Sequence, residues 1–385
     1  MQSISPLVPS DLLAKAQRLR YKFEVYDGAG WVDLCAFAGT SPLPGWPYCK
    51  LFALPIPTAD LVDFPVKVPI IADADIGAEC LATGYDIRFT AADGSTLLPY
   101  ERESFAVAGG EATGIFWVKS DVATAGTYIW CYYGNAAAAD GENAEAVWDS
   151  SFKAVYHMKD ATTSTILDST SNDNDGAKLA ANEPIEATGK IAKGQDFDGT
   201  DDYVSVTDND ALDMTGEMSL SFWANLDSKT ADQILLIKGT AWGGAGTNYE
   251  FTISGNYAYW DVFSGGVQKS YQIPLATLDI GTWHHFFCYY DGTYLGVFIN
   301  GTSIGAPVNY GAMVLDTNAN PLLIGEQANH AYNFGGLLDE VRISSIARSA
   351  EWIAYEYANM NPADGGLTWG AEENLKNLPL MTFES

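Results

Sequence analysis

Apolar residues along most of this chain fall at alternate positions or in short runs, and clusters bearing glycine or aspartate separate them, which is the pattern of strands joined by tight turns. Between Cys49 and Trp148 the runs are KLFALPI, FPVKVPI, YDIRFT with STLLPYERE around the Asp93-Gly94 turn, GIFWVKS and GTYIWCYYGN. A second series begins at FKAVYHM (152–158) and continues with MSLSFWANL, QILLIK, NYEFTI, YAYWDVF, WHHFFCYY, YLGVFIN and NPLLIG. Ahead of both, YKFEVY (21–26) and WVDLCAF (31–37) flank Asp27-Gly28-Ala29-Gly30 and predict a hairpin. Helical spacing occurs in three places. Near the N-terminus Ser10 is placed as a cap, Leu12, Leu13, Ala16 and Leu19 share a face, and Arg18 and Arg20 favour the C-terminal end. Residues 136–149 form a short hinge with a helical look. In 349–359 Trp352, Ile353 and Glu356 recur at helical spacing behind Ser349, which can cap. The chain thus divides into an arm and hairpin (1–45), a first sandwich (46–150), a second (151–362), and a C-terminal strand (367–370) and tail within 363–385. No internal repeat is visible.

Two stretches organise the second half. FDGTDDYVSV (197–206) is a strand entering an Asp198-Gly199 turn, and GGLLDEVRI (335–343) opens on paired glycines and continues through Leu338, Val341 and Ile343. Together they resemble the start and end signatures of the laminin-G/concanavalin-like jelly-roll family, over about 155–361. The resemblance implies two antiparallel sheets packed face to face, in a family whose members mostly bind glycans or proteins rather than cut them. In the first half, Asp63-Phe64-Pro65-Val66, Asp86-Ile87-Arg88-Phe89-Thr90 with Leu98-Pro99-Tyr100-Glu101, Phe116-Trp117-Val118-Lys119 and Tyr132-Tyr133-Gly134-Asn135 are similar to a domain of unknown function that commonly sits directly before a laminin-G-like domain. That likeness implies a small β-sandwich and no known chemistry. The expected fold is therefore all-β, two β-sandwich domains in tandem, the second a concanavalin-like jelly roll, with a short N-terminal helical arm. The opening hairpin also resembles openings in phage tail and virion proteins.

The bulk numbers sharpen this picture. Of 385 residues, 47% are hydrophobic and 18% charged, enough for two packed cores and against global disorder. The formal charge of −29 repels phosphate backbones, which argues against a nucleic-acid partner, and it also serves solubility. The five cysteines (Cys35, Cys49, Cys80, Cys131, Cys288) show neither CxxC nor zinc spacing, so buried free thiols are expected. No apolar run approaches ~18 residues, so no membrane span is expected. The N-terminus lacks a secretory signal pattern. A chain of extracellular type without an export signal fits a dedicated secretion system or assembly into a virus particle.

Candidate chemistry is sparse, and no catalytic set is expected. GTSIG (301–305) matches the GxSxG pattern, but Ser303 lies in a strand–turn–strand context after Asn300-Gly301, not the strand–turn–helix of a nucleophile elbow. His284 and His285 are adjacent on a strand and point to opposite faces, so they cannot readily share an ion. The carboxylate pairs Asp201/Asp202 and Asp339/Glu340 lack the alternating acidic signature of jelly-roll glycosidases. Asp168, Asn172, Asp173 and Asn174 cluster in one loop. In similar laminin-G-like domains such a loop lies near the Asp-Glu pair of the final strand, here Asp339-Glu340, so a structural Ca²⁺ held by Asp168, Asn172, Asn174 and Asp339 stands beside the reading of a solvated Asx-rich turn. For ligand binding, Trp242 in GTAWGGAGTN, with His330 and Tyr332 in ANHAYN, could stack on a sugar ring, or Trp242 could cover a sheet edge.

Three functions follow as expectations. The first is a non-enzymatic virion or surface-appendage protein that adheres to a host-surface glycan or protein and packs beside neighbouring subunits as a homo-oligomer. The second is a purely structural capsid-decoration, tail or spike subunit. The third is a secreted polysaccharide-binding or polysaccharide-active protein.

Overall fold

Strand Met218–Leu226 shows how the sequence pattern becomes architecture. Leu220, Phe222, Ala224 and Leu226 point into one hydrophobic core, while Trp223 on the opposite face enters a second. A strand buried on both faces must lie between two packed layers, and the fold follows from that requirement. In the computed structural model the described residues are 24–26, 31–33, 43–179, 182–244, 246–327 and 330–375. The expected N-terminal helical arm and Cys35 lie outside them. The expected opening hairpin is present as Glu24–Tyr26 paired with Trp31–Asp33.

The second domain is a sandwich of two antiparallel sheets. The nine-stranded sheet runs Ile185–Thr188, Lys193–Asp198, Gly335–Ser344, Met218–Leu226, Trp283–Tyr290, Tyr294–Ile299 and Thr302–Ser303, with Phe152–Tyr156 also on Gly335–Ser344 and Val308–Asn309 on Tyr294–Ile299. The seven-stranded sheet runs Gly176–Lys178, Val204–Val206, Leu322–Ile324, Gln233–Lys238, Tyr249–Ser254, Tyr257–Ser264 and Val267–Pro274. Their facing sides form one core that includes Phe222, Phe251, Trp260 and Phe286. The paired glycines have a steric cause. At Gly336 φ is +138°, and a Cβ there would sit 2.3 Å from the Asn225 carbonyl oxygen.

The first domain packs a five-stranded sheet (Thr368–Asn374, Tyr48–Ala53, Tyr128–Tyr133, Arg88–Thr90, Leu97–Leu98) on a three-stranded one (Leu61–Asp73, Glu111–Val122, Tyr100–Ala108). The C-terminal strand expected at 367–370 does not stand apart. It spans Thr368–Asn374 and pairs with Tyr48–Ala53, so the jelly roll is inserted between two parts of the first sandwich. Helix Ala350–Met360, capped by the Ser349 hydroxyl on Trp352 N, links the two domains. Its Asn359 side chain accepts from Lys67 N (2.7 Å) and donates to Lys67 O (3.2 Å), completing the edge strand Leu61–Asp73 as a neighbouring strand would. Prolines at Pro65 and Pro69 suit such an edge.

Between the domains lies a buried charged layer. His157 Nδ1 is 2.7 Å from Glu340 and its Nε2 3.1 Å from Glu101. Arg342 donates to Glu340 at 2.7 Å and lies 4.4 Å from the Trp117 ring centroid and 4.9 Å from that of Trp148. Trp117 and Trp148 donate to Glu103 and Glu101, both at 2.9 Å. Burial opposes the charge on His157, but Glu340 and Glu101 override it and hold the imidazole pKa up at about 10. Burial likewise opposes ionisation of Glu101, and His157 overrides it, holding that carboxyl down at about 2.

The consequence for stability has two sides. The His157 contribution is complete below its unfolded pKa of ~6.5 and is lost as pH rises through about 10. The Glu101 contribution is complete above ~4.3 and is lost as pH falls through about 2. Urea midpoints are therefore expected to peak between about pH 4.5 and 6.5 and to fall on both sides. Arg342→Ala removes one of the two cations on buried Glu340, leaving His157, and is expected to cost about 3 kcal/mol in urea unfolding; a loss under about 1 kcal/mol would contradict this role for the layer.

Candidate functional site

The outer face of the seven-stranded sheet carries a small apolar cluster of Tyr203, Ile234, Ile237 and Leu323, roofed by Trp242. The bulge between Ile234 and Leu236 puts both Leu235 and Leu236 into the core and leaves Ile234 outside. Two loops meet above this cluster. One follows strand Gln233–Lys238 and brings Trp242; the other follows Leu322–Ile324 and brings His330 and Tyr332.

All three residues expected to touch a ligand are thus gathered on one face. The rings of Trp242 and Tyr332 are 5.3 Å apart, edge to face, and those of His330 and Tyr203 are 5.5 Å apart. Tyr332 is 42% exposed and the His330 side chain 60% exposed, so both present to solvent. Polar contacts fix the loops. Trp242 N donates to Gln327 Oε1 at 2.9 Å, His330 Nδ1 lies 2.8 Å from Glu326, and Ile234 N donates to the Tyr332 carbonyl at 2.7 Å. His330 and Tyr332 both have left-handed backbones, with φ of +58° and +61°. That conformation is uncommon for residues with a Cβ and concentrates at ligand clamps. Burial raises the Glu326 carboxyl, and His330 acts in the opposite direction.

Beneath the Trp242 loop lies an acid pair that sequence reading missed. Glu250 and Asp261 face each other across adjacent strands, and neither is exposed to solvent. Glu250 accepts from Gly243 N at 3.1 Å and so holds the loop; Asp261 accepts from the Gln268 side chain at 2.7 Å. Burial, then the charge of Asp261, pushes the Glu250 pKa up to about 9, and burial raises Asp261 to about 6. A signal for the pair did exist. The Gly255-Asn256 turn sets Ser254 opposite Tyr257, and that register carries Glu250 to Asp261. Tyr203, Glu326 and Gln327 had no such local signal.

The other candidates resolve individually. Ser303 Oγ donates to the Gly305 carbonyl at 3.1 Å in an exposed hairpin. His284 accepts from Asp279 N at 3.0 Å, whereas His285 faces the other way, 3.3 Å from Glu356. Asp168 accepts from the backbone of Val155, Thr170 and Asn174 and from the Thr170 hydroxyl. The Asn172 and Asn174 amides donate to the Phe152 and Lys153 carbonyls, and Asp339 accepts from Ile191 N at 2.7 Å. This donor set fits a turn that holds strand Phe152–Tyr156, and it does not fit one shared calcium ion: the Asp168 carboxylate is filled by protein donors and Asp339 is turned to a different segment. The four described cysteines are free thiols, Cys80 half-buried and the others buried.

Residues 198–354 match the family model of the concanavalin A-like lectin/glucanases superfamily, and residues 83–174 match that of a domain of unknown function. No curated protein sequence matches the chain. Among solved structures, the binding domain of Paraclostridial Mosquitocidal Protein 1 is similar at 13% identity and a TM-score of 0.44, over 54% of this chain and 52% of that one. Domain 4 of AbnA, an extracellular arabinanase from Geobacillus stearothermophilus, solved in complex with arabinotriose, is similar at 21% identity and a TM-score of 0.42, over 54% of this chain and 98% of that one. The receptor binding domain of botulinum neurotoxin mosaic serotype C/D gives 14% and 0.42, over 54% and 50%. The chain spans about half the length of these toxin domains. Among the described residues, no helix is long and apolar enough to cross a membrane.

The acid pair generates a pH prediction. Both carboxyls are raised above their unfolded values, so their contribution is complete below ~4 and is lost as pH rises through about 6 and then about 9. Glu250→Gln cannot ionise. Between pH 6 and 9 its urea stability should fall less than that of the native chain, by about 1–3 kcal/mol, and parallel declines would refute the assignment.

Proposed function

Since the chain carries a concanavalin A-like domain preceded by a domain of unknown function, we propose that it is a non-enzymatic adhesion protein that binds a glycan on the outer face of its seven-stranded sheet. The observation that carries this reading is the convergence of Trp242 and Tyr332, 5.3 Å apart, from two loops onto one exposed patch. A sugar ring offers an apolar C–H face to an aromatic ring and hydroxyls to its rim. Trp242 and Tyr332 supply the first kind of contact and His330 a hydrogen-bonding group beside them, while the buried Glu326 and Gln327 hold His330 and the Trp242 backbone in place. Both loops are tied to sheet strands, so little ordering is left for binding to impose. The acid pair below is closed over by the loop and holds it in place, which suits a platform rather than a reacting centre. The net charge of −29 favours neutral over sulfated glycans. In its setting the chain is a virion or surface-appendage component, homo-oligomeric, whose jelly roll faces outward to a host-surface glycan or protein while neighbouring subunits pack elsewhere.

Trp242→Ala and Tyr332→Ala are each expected to weaken glycan binding by about 2 kcal/mol, roughly thirtyfold, on an array and by titration. The thermal midpoint of Tyr332→Ala should be nearly unchanged and that of Trp242→Ala lowered, because its ring roofs the apolar cluster. Unchanged array binding in both variants would exclude this face as the binding site. Electron microscopy placing the patch inside a symmetric shell would instead support a structural subunit.

A further inference from the structure

A different region, away from the aromatic face and independent of the glycan reading, gathers cations in this acidic chain. Lys67 comes from the edge strand Leu61–Asp73, and Lys190 from the turn between Ile185–Thr188 and Lys193–Asp198. Lys67 Nζ donates to the carbonyls of Met360 (2.8 Å) and Pro362 (2.7 Å), and Lys190 Nζ to Asn361 Oδ1 (2.8 Å). Both ammonium groups therefore meet at three consecutive residues where helix Ala350–Met360 ends, the negative pole of its dipole.

An ammonium group has three donors. Among the described residues, hydrogen-bond acceptors occupy two on Lys67 and one on Lys190, whose Nζ also lies 4.8 Å from the Trp223 ring centroid. Among the described residues neither lysine forms an ion pair with a carboxylate. Glu103, Glu340 and Asp364 act on Lys67, and Asp339 on Lys190, only through space. Burial, then the charge of Lys190, lowers the Lys67 pKa to about 8. The two side chains flank a cavity of about 300 Å³ at the junction of the domains, whose remaining wall is largely apolar and includes Ile70, Ile71, Ile115 and Ile191. A cavity of this size at a domain boundary, apolar with a few convergent polar groups, has the make-up of a small-molecule site.

We propose that this junction cavity binds a small organic carboxylate with an apolar body, its carboxylate on the Lys67 and Lys190 ammonium groups and its body against Ile70, Ile115 and Ile191. The unfilled donors call for an anion. The surrounding carboxylates and the net charge of −29 favour a monoanion over a dianion such as phosphate. The isoleucines favour an alkyl or aryl body over a sugar acid. The ligand would touch both sandwiches and would therefore stabilise the whole chain by mass action.

Hexanoate is the probe, added to the full chain and followed by calorimetric titration and thermal unfolding. Hexanol supplies the body without the charge, and inorganic phosphate the charge without the body. Hexanoate is expected to bind saturably and raise the melting temperature, with hexanol and phosphate at least about tenfold weaker. Lys190→Met should weaken hexanoate about tenfold or more while the unliganded chain melts close to the native temperature, and Lys190→Arg should retain binding. Lys67→Met tests the deeper contact if it folds; the Lys190 variants decide the question in either case. Absence of saturable hexanoate binding at tens of millimolar, phosphate binding as tightly as hexanoate, or equal hexanoate affinity in Lys190→Met would each overturn the proposal.

Discussion

The charged layer between the two sandwiches is the constraint on which the rest of the structure depends. Glu101, Glu103, Glu340 and Asp339 approach one another in a region without solvent, where several carboxylates cannot all remain ionised unless cations share the space. His157 and Arg342 supply those cations, and Trp117 and Trp148 cover Arg342 from the first domain. Each group makes sense only with the other domain in place. Separating the domains would expose apolar rings and strand these charges, so the sandwiches are held as one body.

That body explains why the aromatic face can be stiff. The nine-stranded sheet is gripped on its outer side by the first domain and by helix Ala350–Met360, through Trp223, Trp352 and Tyr355. Its inner side supports the seven-stranded sheet through one continuous core. The free outer face of the seven-stranded sheet is then the place where loops can meet without disturbing the fold. Trp242, His330 and Tyr332 sit there, on loops tied to Glu250, Gln327 and Ile234. Domain packing and the exposed aromatic loops are thereby assigned to opposite sides of the jelly roll.

Much of this was legible in the sequence where the cause is local. The Asp93-Gly94 and Asn300-Gly301 turns, the Ser349 cap and the alternation in Met218–Leu226 announce themselves within a few residues. Trp242, His330 and Tyr332 stood out as polar or aromatic residues in glycine- and asparagine-rich loops, and the fold brings them together. What the sequence could not reveal depends on long-range pairing. His157 meets Glu340 across 183 positions, and Tyr133 donates to Glu372 across 239. No periodicity encodes such partners. The Asx-rich loop around Asp168 invited a metal reading because oxygen ligands and backbone-holding acceptors are the same atoms; only the geometry shows that Val155, Thr170 and Asn174 already use them.

Differential scanning calorimetry of the full chain near pH 6 tests most directly whether the two sandwiches hold and present the face as a single body. The account predicts one transition whose calorimetric and van't Hoff enthalpies agree. Two separated transitions, with the jelly roll melting independently of the sandwich that brackets it, would contradict it.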